Sequence, residues 1–369
     1  MKPFVFSADS HIREPNTLFT EGLPASMRHA AIFAERTDEF IQTKTGDRII
    51  HRLRIGGNTS AQQLARRGAS NIQLRLEDMA MDGIDAEICF PQLGLYLYLL
   101  SDPEIELASC QIYNDWNNSF FSPHLDRFVR CGALPVRDLN NTQAELRRLA
   151  SLGFSAAMMP VVTPTGVPAF NSDAWDPVFN LAGELDIVLV FHTGTGLENV
   201  TAERGPGGAV INYTRQMNDG INTVLALVGG GVLDRNPNAK IAVIEAGASW
   251  LPAVAERMDE VYQQHHFYVR PKLSLLPSEI VSRQVSASFQ FDRACVMARR
   301  VVGTHCFMFA SDYPHMEGTF PRTKDVVGRL FQDLDITESE QADILGGNAV
   351  RLFRMPKTSH MLNTSEAAD

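Results

Sequence analysis

The stretch PFVFSADSH, residues 3–11, decides the fold, because a short apolar run ends there in Asp9 and His11. Side chains alternate along an extended strand, so these two residues point to the same side. A carboxylate and an imidazole held side by side are typical of a metal-binding segment. The stretch therefore predicts a buried strand that ends at a metal site.

Seven further apolar runs have a similar length and lack a polar face, which is typical of strands buried on both sides. With the first run, the predicted strands cover residues 4–8, 86–90, 128–134, 156–161, 187–191, 241–244, 285–291 and 307–311. Helix-like segments precede the second to fifth strands, at residues 74–83, 103–120, 142–152 and 173–185. Such alternation predicts a parallel sheet.

Eight alternating units favour an α/β fold of the closed (β/α)₈ TIM-barrel type. No Gly-x-Gly-x-x-Gly opens a helix after the first strand, as an open dinucleotide-binding sheet would require. We expect one barrel domain over residues 1–354, and a tail over 355–369 that frays or joins a subunit contact. Segments 15–72 and 194–220 follow strands one and five, so both are expected to form lid insertions or pocket walls.

Polar side chains end several of these runs: His192, Glu245 and Asp312 join the first pair. The carboxyl ends of barrel strands form one face, where catalytic groups collect. We therefore predict a metal site that consists of Asp9, His11, His192 and Asp312. Two imidazoles and two carboxylates suit Zn²⁺ or Mn²⁺, with iron as an alternative. The competing interpretation is that Asp9 caps the next segment and His11 makes a core hydrogen bond.

Three other residues extend this site in sequence. Glu14 and His315 each lie three positions beyond a predicted ligand, and together they would supply a second ion. Glu245 and Asp312 are the predicted catalytic acid or base, although Glu245 could also be a ligand or hold a histidine ligand.

Two arginines in predicted rim segments, Arg204 and Arg322, are candidates for binding a substrate carboxylate through a bidentate contact. The composition otherwise excludes broad classes of partner. A formal net charge of −10 disfavours nucleic acid, and no apolar run approaches the length needed to cross a membrane. The five cysteines form no Cys-x-x-Cys pair, which indicates buried, reduced thiols and a cytoplasmic location.

The chain also resembles a known family through several motifs over about residues 3–354. These are DSHIREP at 9–15, FHTG at 191–194, EAGASWLP at 245–252, SDYPHMEGTFP at 311–321 and GGNA at 346–349. Together they are similar to the amidohydrolase-related family of TIM-barrel enzymes, which includes aminocarboxymuconate-semialdehyde decarboxylase and resorcylate-type decarboxylases.

The resemblance implies a divalent metal ion bound by Asp9, His11, His192 and Asp312. It also implies a decarboxylase or hydrolase that acts on a small carboxylated or carbonyl compound. The family's decarboxylases commonly begin with His-x-His or Glu-x-His and place a histidine where this chain has Glu245, so Asp9 and Glu245 are departures.

Two alternatives remain open from the sequence. Some relatives use two metal ions for oxygen-dependent chemistry, which would require Glu14 and His315 as ligands of a dinuclear iron or manganese centre. The chain could instead be a non-catalytic, metal-bound subunit. Family members are often dimers, so the resemblance implies a homodimer or a heteromer with a related chain.

Overall fold

The computed structural model describes residues 3–55, 66–198 and 203–356. The predicted barrel strands are all present, and the first is divided into two short pieces. In chain order the strands are β1 Phe6–Ser7, β2 His11–Ile12, β3 Ile32–Arg36, β4 Phe40–Thr45, β5 Arg48–Arg54, β6 Ala86–Pro91, β7 Phe128–Ala133, β8 Ala156–Met159, β9 Val188–His192, β10 Ile241–Ile244, β11 Val285–Phe289 and β12 Phe307–Phe309.

One sheet runs in the order β1-β6-β7-β8-β9-β10-β11-β12, with β2 also paired to β6. Its strand pairs are parallel. The first and last strands close the ring, because Ala8 N donates to Phe309 O at 2.8 Å and Asp312 N donates to Asp9 O at 2.9 Å. This closure confirms the predicted TIM barrel.

The break in the first strand has a local cause in Ser7. Its hydroxyl donates to Asp9 O at 2.6 Å and accepts from Ser311 N at 2.8 Å. A side chain thus takes hydrogen bonds that a regular ladder would make between backbone groups. The pairing resumes at His11, whose N–H donates to Tyr313 O at 2.6 Å.

The helices surround the sheet, and two of the four predicted ones, Ile72–Asp82 and Leu139–Ser151, begin earlier than the apolar pattern predicts. The α-helices are Leu18–Gly22, Ile72–Asp82, Pro103–Phe121, Leu139–Ser151, Asp176–Glu184, Gly208–Arg215, Met217–Gly229, Val232–Arg235, Trp250–Gln264, Pro277–Gln284, Arg293–Ala298, Thr323–Leu330, Glu338–Ala342 and Asn348–Leu352. Asn71 and Asp138 each accept hydrogen bonds from two backbone N–H groups of the helix that follows. Capping of this kind fixes a helix start outside the apolar pattern.

The predicted insertion at 15–72 contains structure that its sequence did not reveal. Strands β3, β4 and β5 form a separate antiparallel sheet in that order. Residues 56–65 of the segment lie outside the described residues. The second predicted insertion, 194–220, holds the helix Gly208–Arg215 and the start of the next one, and its residues 199–202 are likewise not described.

The barrel interior and the space beneath the helices form one apolar core. All five cysteines are buried and unpaired, which confirms the predicted free thiols. Met355 is buried, whereas residues 357–369, which make up most of the predicted tail, lie outside the described residues. In the described part of the chain, no helix is long and apolar enough to cross a membrane.

Candidate metal centre

The barrel brings the predicted ligands to one place by ending its strands on the same face. Asp9 lies between β1 and β2, His11 begins β2, and His192 is the last residue of β9. Glu245 directly follows β10, and Asp312 follows β12 by three residues. The last two have positive φ values of 64° and 54°, a region that non-glycine residues rarely adopt. Backbone strain at two acidic strand ends is typical of a functional site.

Two histidines meet at the centre of this face. His11 Nδ1 lies 3.0 Å from Pro91 O, and His192 Nδ1 lies 3.0 Å from Thr193 O. A carbonyl oxygen can only accept, so each Nδ1 is the protonated nitrogen and each Nε2 carries a lone pair. The two Nε2 atoms are 3.2 Å apart. Two fixed lone pairs that converge on one point are the geometry of metal-ligating histidines.

Two buried carboxylates complete the group. Asp9 Oδ1 lies 3.6 Å from the Nε2 atoms of both His11 and His192, and Asp312 Oδ1 lies 3.7 Å from His11 Nε2. Asp9 and Asp312 are fully buried, yet none of their four carboxylate oxygens makes a hydrogen bond of normal geometry within the described residues. Buried carboxylates without partners are costly unless a cation lies between them. The donor set therefore fits a divalent metal ion.

The structure also shows which residues converge most closely. Asp9, His11, His192 and Glu245 each offer one donor atom, and these four atoms lie within 4.8 Å of one another. Asp312 groups with His11 and His315 under the same distance limit. Within this limit Glu245 therefore joins three of the four predicted ligands in one group, whereas Asp312 joins only His11 among them.

The electrostatics of the group reflect burial and the mutual repulsion of its carboxylates. Burial and the Asp312 charge raise the pKa of Glu245 well above its usual value, and burial and the Asp9 charge do the same for the pKa of Asp312. Burial, with His315 and His192 nearby, lowers the pKa of His11. Burial also acts to lower the pKa of His192, but Asp9 and Glu245 outweigh it, so that pKa is raised. Proton sharing of this kind is typical of an acidic cluster that binds cations.

The two residues predicted for a second ion have different places. His315 joins the site: its Nδ1 lies 2.9 Å from Asp312 Oδ1, and its ring lies 4.1 Å from the His11 ring. Glu14 does not, because its carboxylate accepts the backbone N–H groups of Gln92, Leu93 and Gly94 at 2.9 to 3.0 Å. Among the described residues, Glu14 belongs to no potential ligand group. Its role here is to hold the loop after β6.

A cavity of about 180 Å³ opens above the ligands. Its wall comes from β5, from the loops after β6 and β9, from the helix Gly208–Arg215 and from the loop after Asp312. The lining residues are His51, Leu53, Gln92, Leu95, Tyr96, Thr193, Gly194, Asn212, Tyr213, Gln216, Glu245, His315, Met316 and Glu317. Both predicted insertions thus contribute to the wall, as expected for pocket-forming segments.

The two predicted substrate arginines do not line this cavity. Arg204 is exposed. It lies near His51, whose pKa is lowered mainly by burial and to a lesser extent by the Arg204 charge. Arg322 is exposed at the start of the helix Thr323–Leu330. The geometry therefore gives neither residue a direct contact in the cavity.

Sequence reasoning missed two arginines that donate hydrogen bonds to the backbone beside the predicted ligands. Arg75 is fully buried, pairs with Glu87 at 2.5 Å and donates to His11 O at 2.8 Å. Arg66 donates to Pro314 O at 2.7 Å and to His315 O at 2.9 Å. Both contacts fix backbone next to a predicted ligand. No sequence signal marks these arginines, because their partners lie far away along the chain.

Glu317 was also missed, although a signal was present. It lies two residues beyond His315 in the same loop and groups with Glu245, Asp312 and His315 within 4.8 Å. The alternation of acidic and histidine residues in DYPHME could have indicated it.

Several solved protein structures resemble the whole chain in fold. An amidohydrolase from Mycobacterium avium subsp. paratuberculosis K-10 shares 18% identity and a TM-score of 0.77 over 98% of this chain and 100% of that one. A dihydroxybenzoic acid decarboxylase from Polaromonas sp. JS666, solved with bound manganese and the inhibitor 2-nitroresorcinol, shares 17% identity and a TM-score of 0.68 over 98% and 99%. The 5-carboxyvanillate decarboxylase of Sphingomonas paucimobilis shares 19% identity and a TM-score of 0.69 over 96% and 100%.

At these identities the similarity shows a common fold. No curated protein sequence matches the chain. The amidohydrolase family model, in contrast, matches residues 9–355, from the first predicted ligand to the end of the barrel. The chain therefore belongs to this amidohydrolase family, a class of metal-dependent decarboxylases and hydrolases.

Proposed function

We propose that the chain is a divalent-metal-dependent carboxy-lyase that removes CO₂ from a small ring acid or unsaturated acid. One observation carries this proposal. The His11 and His192 Nε2 atoms lie 3.2 Å apart at the base of a cavity, beside buried Asp9 and Asp312 oxygens that make no hydrogen bond of normal geometry within the described residues. The fold shared with two aromatic-acid decarboxylases supports the choice of reaction.

The residues that would hold the ion are Asp9, His11, His192 and Asp312. When bound, the ion acts as a Lewis acid toward the substrate carboxylate and a neighbouring oxygen. Manganese in the dihydroxybenzoic acid decarboxylase supports Mn²⁺ as the first choice, with Zn²⁺ next. Arg75 keeps His11 in place, because its guanidinium donates to the His11 carbonyl oxygen.

Glu245 is the proposed proton donor. In a decarboxylation the carbon–carbon bond to the carboxylate breaks, CO₂ leaves, and the ring carbon keeps the electron pair and takes a proton. Glu245 lines the cavity, and its Oε2 lies 3.5 Å from His192 Nε2. Burial and the Asp312 charge raise its pKa, which favours the protonated carboxyl, the form that can give a proton to carbon.

Hydrolysis of a carbonyl compound is the neighbouring activity on the same residues. There, Glu245 or Asp312 would accept a proton from the attacking water instead of donating one to carbon. The two reactions differ in their products, since only the lyase releases CO₂.

The test combines metal analysis with product analysis. Protein purified without added metal is analysed for its ions, loaded with Mn²⁺ or Zn²⁺, and assayed for CO₂ release on hydroxylated benzoates and unsaturated acids. We expect about one tightly bound ion per chain and CO₂ release that is lost in Glu245→Gln with the ion retained. Turnover of esters or amides without CO₂ release would instead establish the hydrolase.

A two-ion centre for oxygen-dependent chemistry is a second candidate, and a specific observation favours it. Glu245, Asp312, His315 and Glu317 offer a further group of donor atoms within 4.8 Å, and His315 Nδ1 makes no hydrogen bond of normal geometry. Asp9, Asp312 and Glu245 already exceed the charge of one divalent ion. In this arrangement Glu317 takes the place that the sequence suggested for Glu14.

Metal stoichiometry separates this candidate from the first. Under saturating Fe²⁺ or Mn²⁺ without oxygen, a dinuclear centre predicts about two ions per chain in the wild type and about one in His315→Ala or Glu317→Ala. Glu14→Gln is the matched control, because its carboxylate binds backbone amides, and it should keep both ions. One ion in every variant would remove the two-ion candidate.

A further inference from the structure

The cavity above the ligands has few positive charges for a site that takes acids. Its acidic lining residues are Glu245 and Glu317, and no lysine or arginine lines it within residues 3–55, 66–198 and 203–356. The two internal segments outside these ranges, 56–65 and 199–202, contain no lysine or arginine in their sequence. An anionic group placed away from the metal ligands would therefore meet carboxylates without a counter charge.

Arg204 does not change this balance. It comes near His51 but is exposed to solvent. Arg204 is also not among the residues that line the cavity, so it supplies no positive charge inside it.

Two aromatic rings form part of one cavity wall. The His51 and Tyr96 rings stack with centroids 5.8 Å apart and planes inclined by 25°. Leu53 and Leu95 extend the same lining with apolar side chains. The cavity volume of about 180 Å³ suits one substituted ring, since a cavity of about 150 Å³ holds benzene.

The polar groups that face this space away from the ligands are largely neutral. Burial is the main cause that raises the pKa values of Tyr96 and Tyr213, the latter to about 12. Both phenols therefore stay protonated and offer hydroxyl groups, which recognise neutral polar substituents. Gln92, Asn212 and Gln216 add amide groups to the lining.

We propose that the cavity selects a planar ring with one ionised acid group at the metal end and only neutral substituents elsewhere. Glu317 is the residue that rejects a second anion, because its carboxylate, although exposed, lines the cavity and lies within 4.8 Å of a Glu245 oxygen. The His51–Tyr96 wall holds the ring face. This inference rests on the proposed function, because it assumes that the acid group faces the metal ligands.

The experiment compares two probes that differ in charge and hardly in size. Both are 2-hydroxybenzoates, with either a carboxamide or a carboxylate at ring position 4. Their affinities for Mn²⁺-loaded protein are measured by calorimetry at pH 7.5. We expect the carboxylate to bind at least about tenfold more weakly than the carboxamide, a difference of about 1.4 kcal/mol. In Glu317→Gln the difference should shrink to about threefold.

Variants of the wall and a surface control complete the design. Tyr96→Ala should weaken both probes about equally, because the wall contacts the ring and not the charge. Glu256→Gln, on the exposed side of the helix Trp250–Gln264, should leave the selectivity as in the wild type. Equal binding of the two probes, an unchanged difference in Glu317→Gln, or failure of both probes to bind would overturn the inference. The predicted order of binding without CO₂ release from any ring acid would overturn only the proposed lyase activity.

Discussion

The floor of the site and its wall follow different structural rules. The floor, formed by Asp9, His11, His192 and Asp312, is fully buried at the ends of barrel strands. The wall, formed by His51, Leu53, Tyr213, Met316 and Glu317, comes from segments outside the barrel strands, and its Leu53, Tyr213 and Met316 are 39%, 48% and 42% exposed. Barrel closure fixes the floor, whereas the wall depends on insertions.

This difference teaches where the chemistry and the selectivity lie. Floor residues share hydrogen-bonded backbone with the closing strands, so their geometry is as rigid as the barrel itself. Wall residues can change without disturbing the barrel, as loops on a rigid scaffold commonly do. Floor substitutions should therefore alter metal binding and activity together, and wall substitutions should alter substrate choice.

The largest effect is expected from the floor. His192→Ala or Asp312→Ala should abolish metal binding and lower turnover by at least about 10³-fold, because the remaining donors no longer enclose the ion. Elemental analysis and turnover assays measure both. Circular dichroism should show an intact barrel. Full metal occupancy in both variants would contradict the assignment of the floor.

Glu14→Ala should lower the free energy of unfolding by about 3 kcal/mol. Glu14 is buried like the floor residues, but its carboxylate has hydrogen-bond partners. Glu14→Ala removes three acceptor contacts to backbone N–H groups and leaves those groups unsatisfied, each at a cost of about 1 kcal/mol or more. Urea unfolding measures the loss. The number of ions bound per folded chain should be unchanged. Loss of bound ion in a variant of wild-type stability would instead show that Glu14 is a metal ligand.

The metal-free protein should lose stability as pH rises above about 6.5. Glu245 and Asp312 have raised pKa values, so the folded chain keeps protons that the unfolded chain has released. Stability then falls with pH, by at most about 1.4 kcal/mol per pH unit for each such proton. The raised pKa of His192 acts in the same direction, whereas the lowered pKa of His11 acts only below about 6.5.

Thermal unfolding from pH 6.5 to 8 with and without Mn²⁺ tests this dependence. A bound ion keeps the Asp312 carboxylate ionised, so the loaded protein should show a smaller change with pH in this range than the metal-free protein. A metal-free protein that gains stability as pH rises would contradict the sign.

The smallest effect is expected at Leu53 in the wall. Leu53→Ala should change stability by less than about 0.5 kcal/mol, because the side chain is already 39% exposed. Substrate affinity should fall by about threefold through lost contact with the ligand, at unchanged metal content. Loss of metal in this variant would show that a wall residue also supports metal binding, contrary to this prediction.

The sequence predicted the barrel and the composition of its floor. Strands β6 to β12 follow apolar runs whose bounds differ from the observed ones by only a few residues, since burial on both faces leaves a local pattern. Asp9, His11, His192 and Asp312 were identified because each lies at or just beyond a strand end. In a parallel barrel that position alone places side chains together.

Other features depended on contacts between distant parts of the chain. The antiparallel sheet of β3, β4 and β5 has mixed polar and apolar strands, and its register is set by cross-strand partners. Glu14 and Glu317 show the same limit within the site, because each lies in a loop whose contacts come from distant parts of the chain. Glu14 binds the loop after β6, and Glu317 lies beside Glu245, because of how these loops pack in the folded chain.

The sequence by itself thus determined the strands, the closed barrel and the four residues of the floor, because hydrophobic periodicity and strand-end positions are local properties. Only the tertiary structure decided that Glu14 binds backbone, that Glu317 lies beside Glu245, and that Arg66 and Arg75 donate hydrogen bonds to backbone next to the predicted ligands. These outcomes rest on hydrogen bonds and charges between segments far apart along the chain, and no local pattern encodes such pairings.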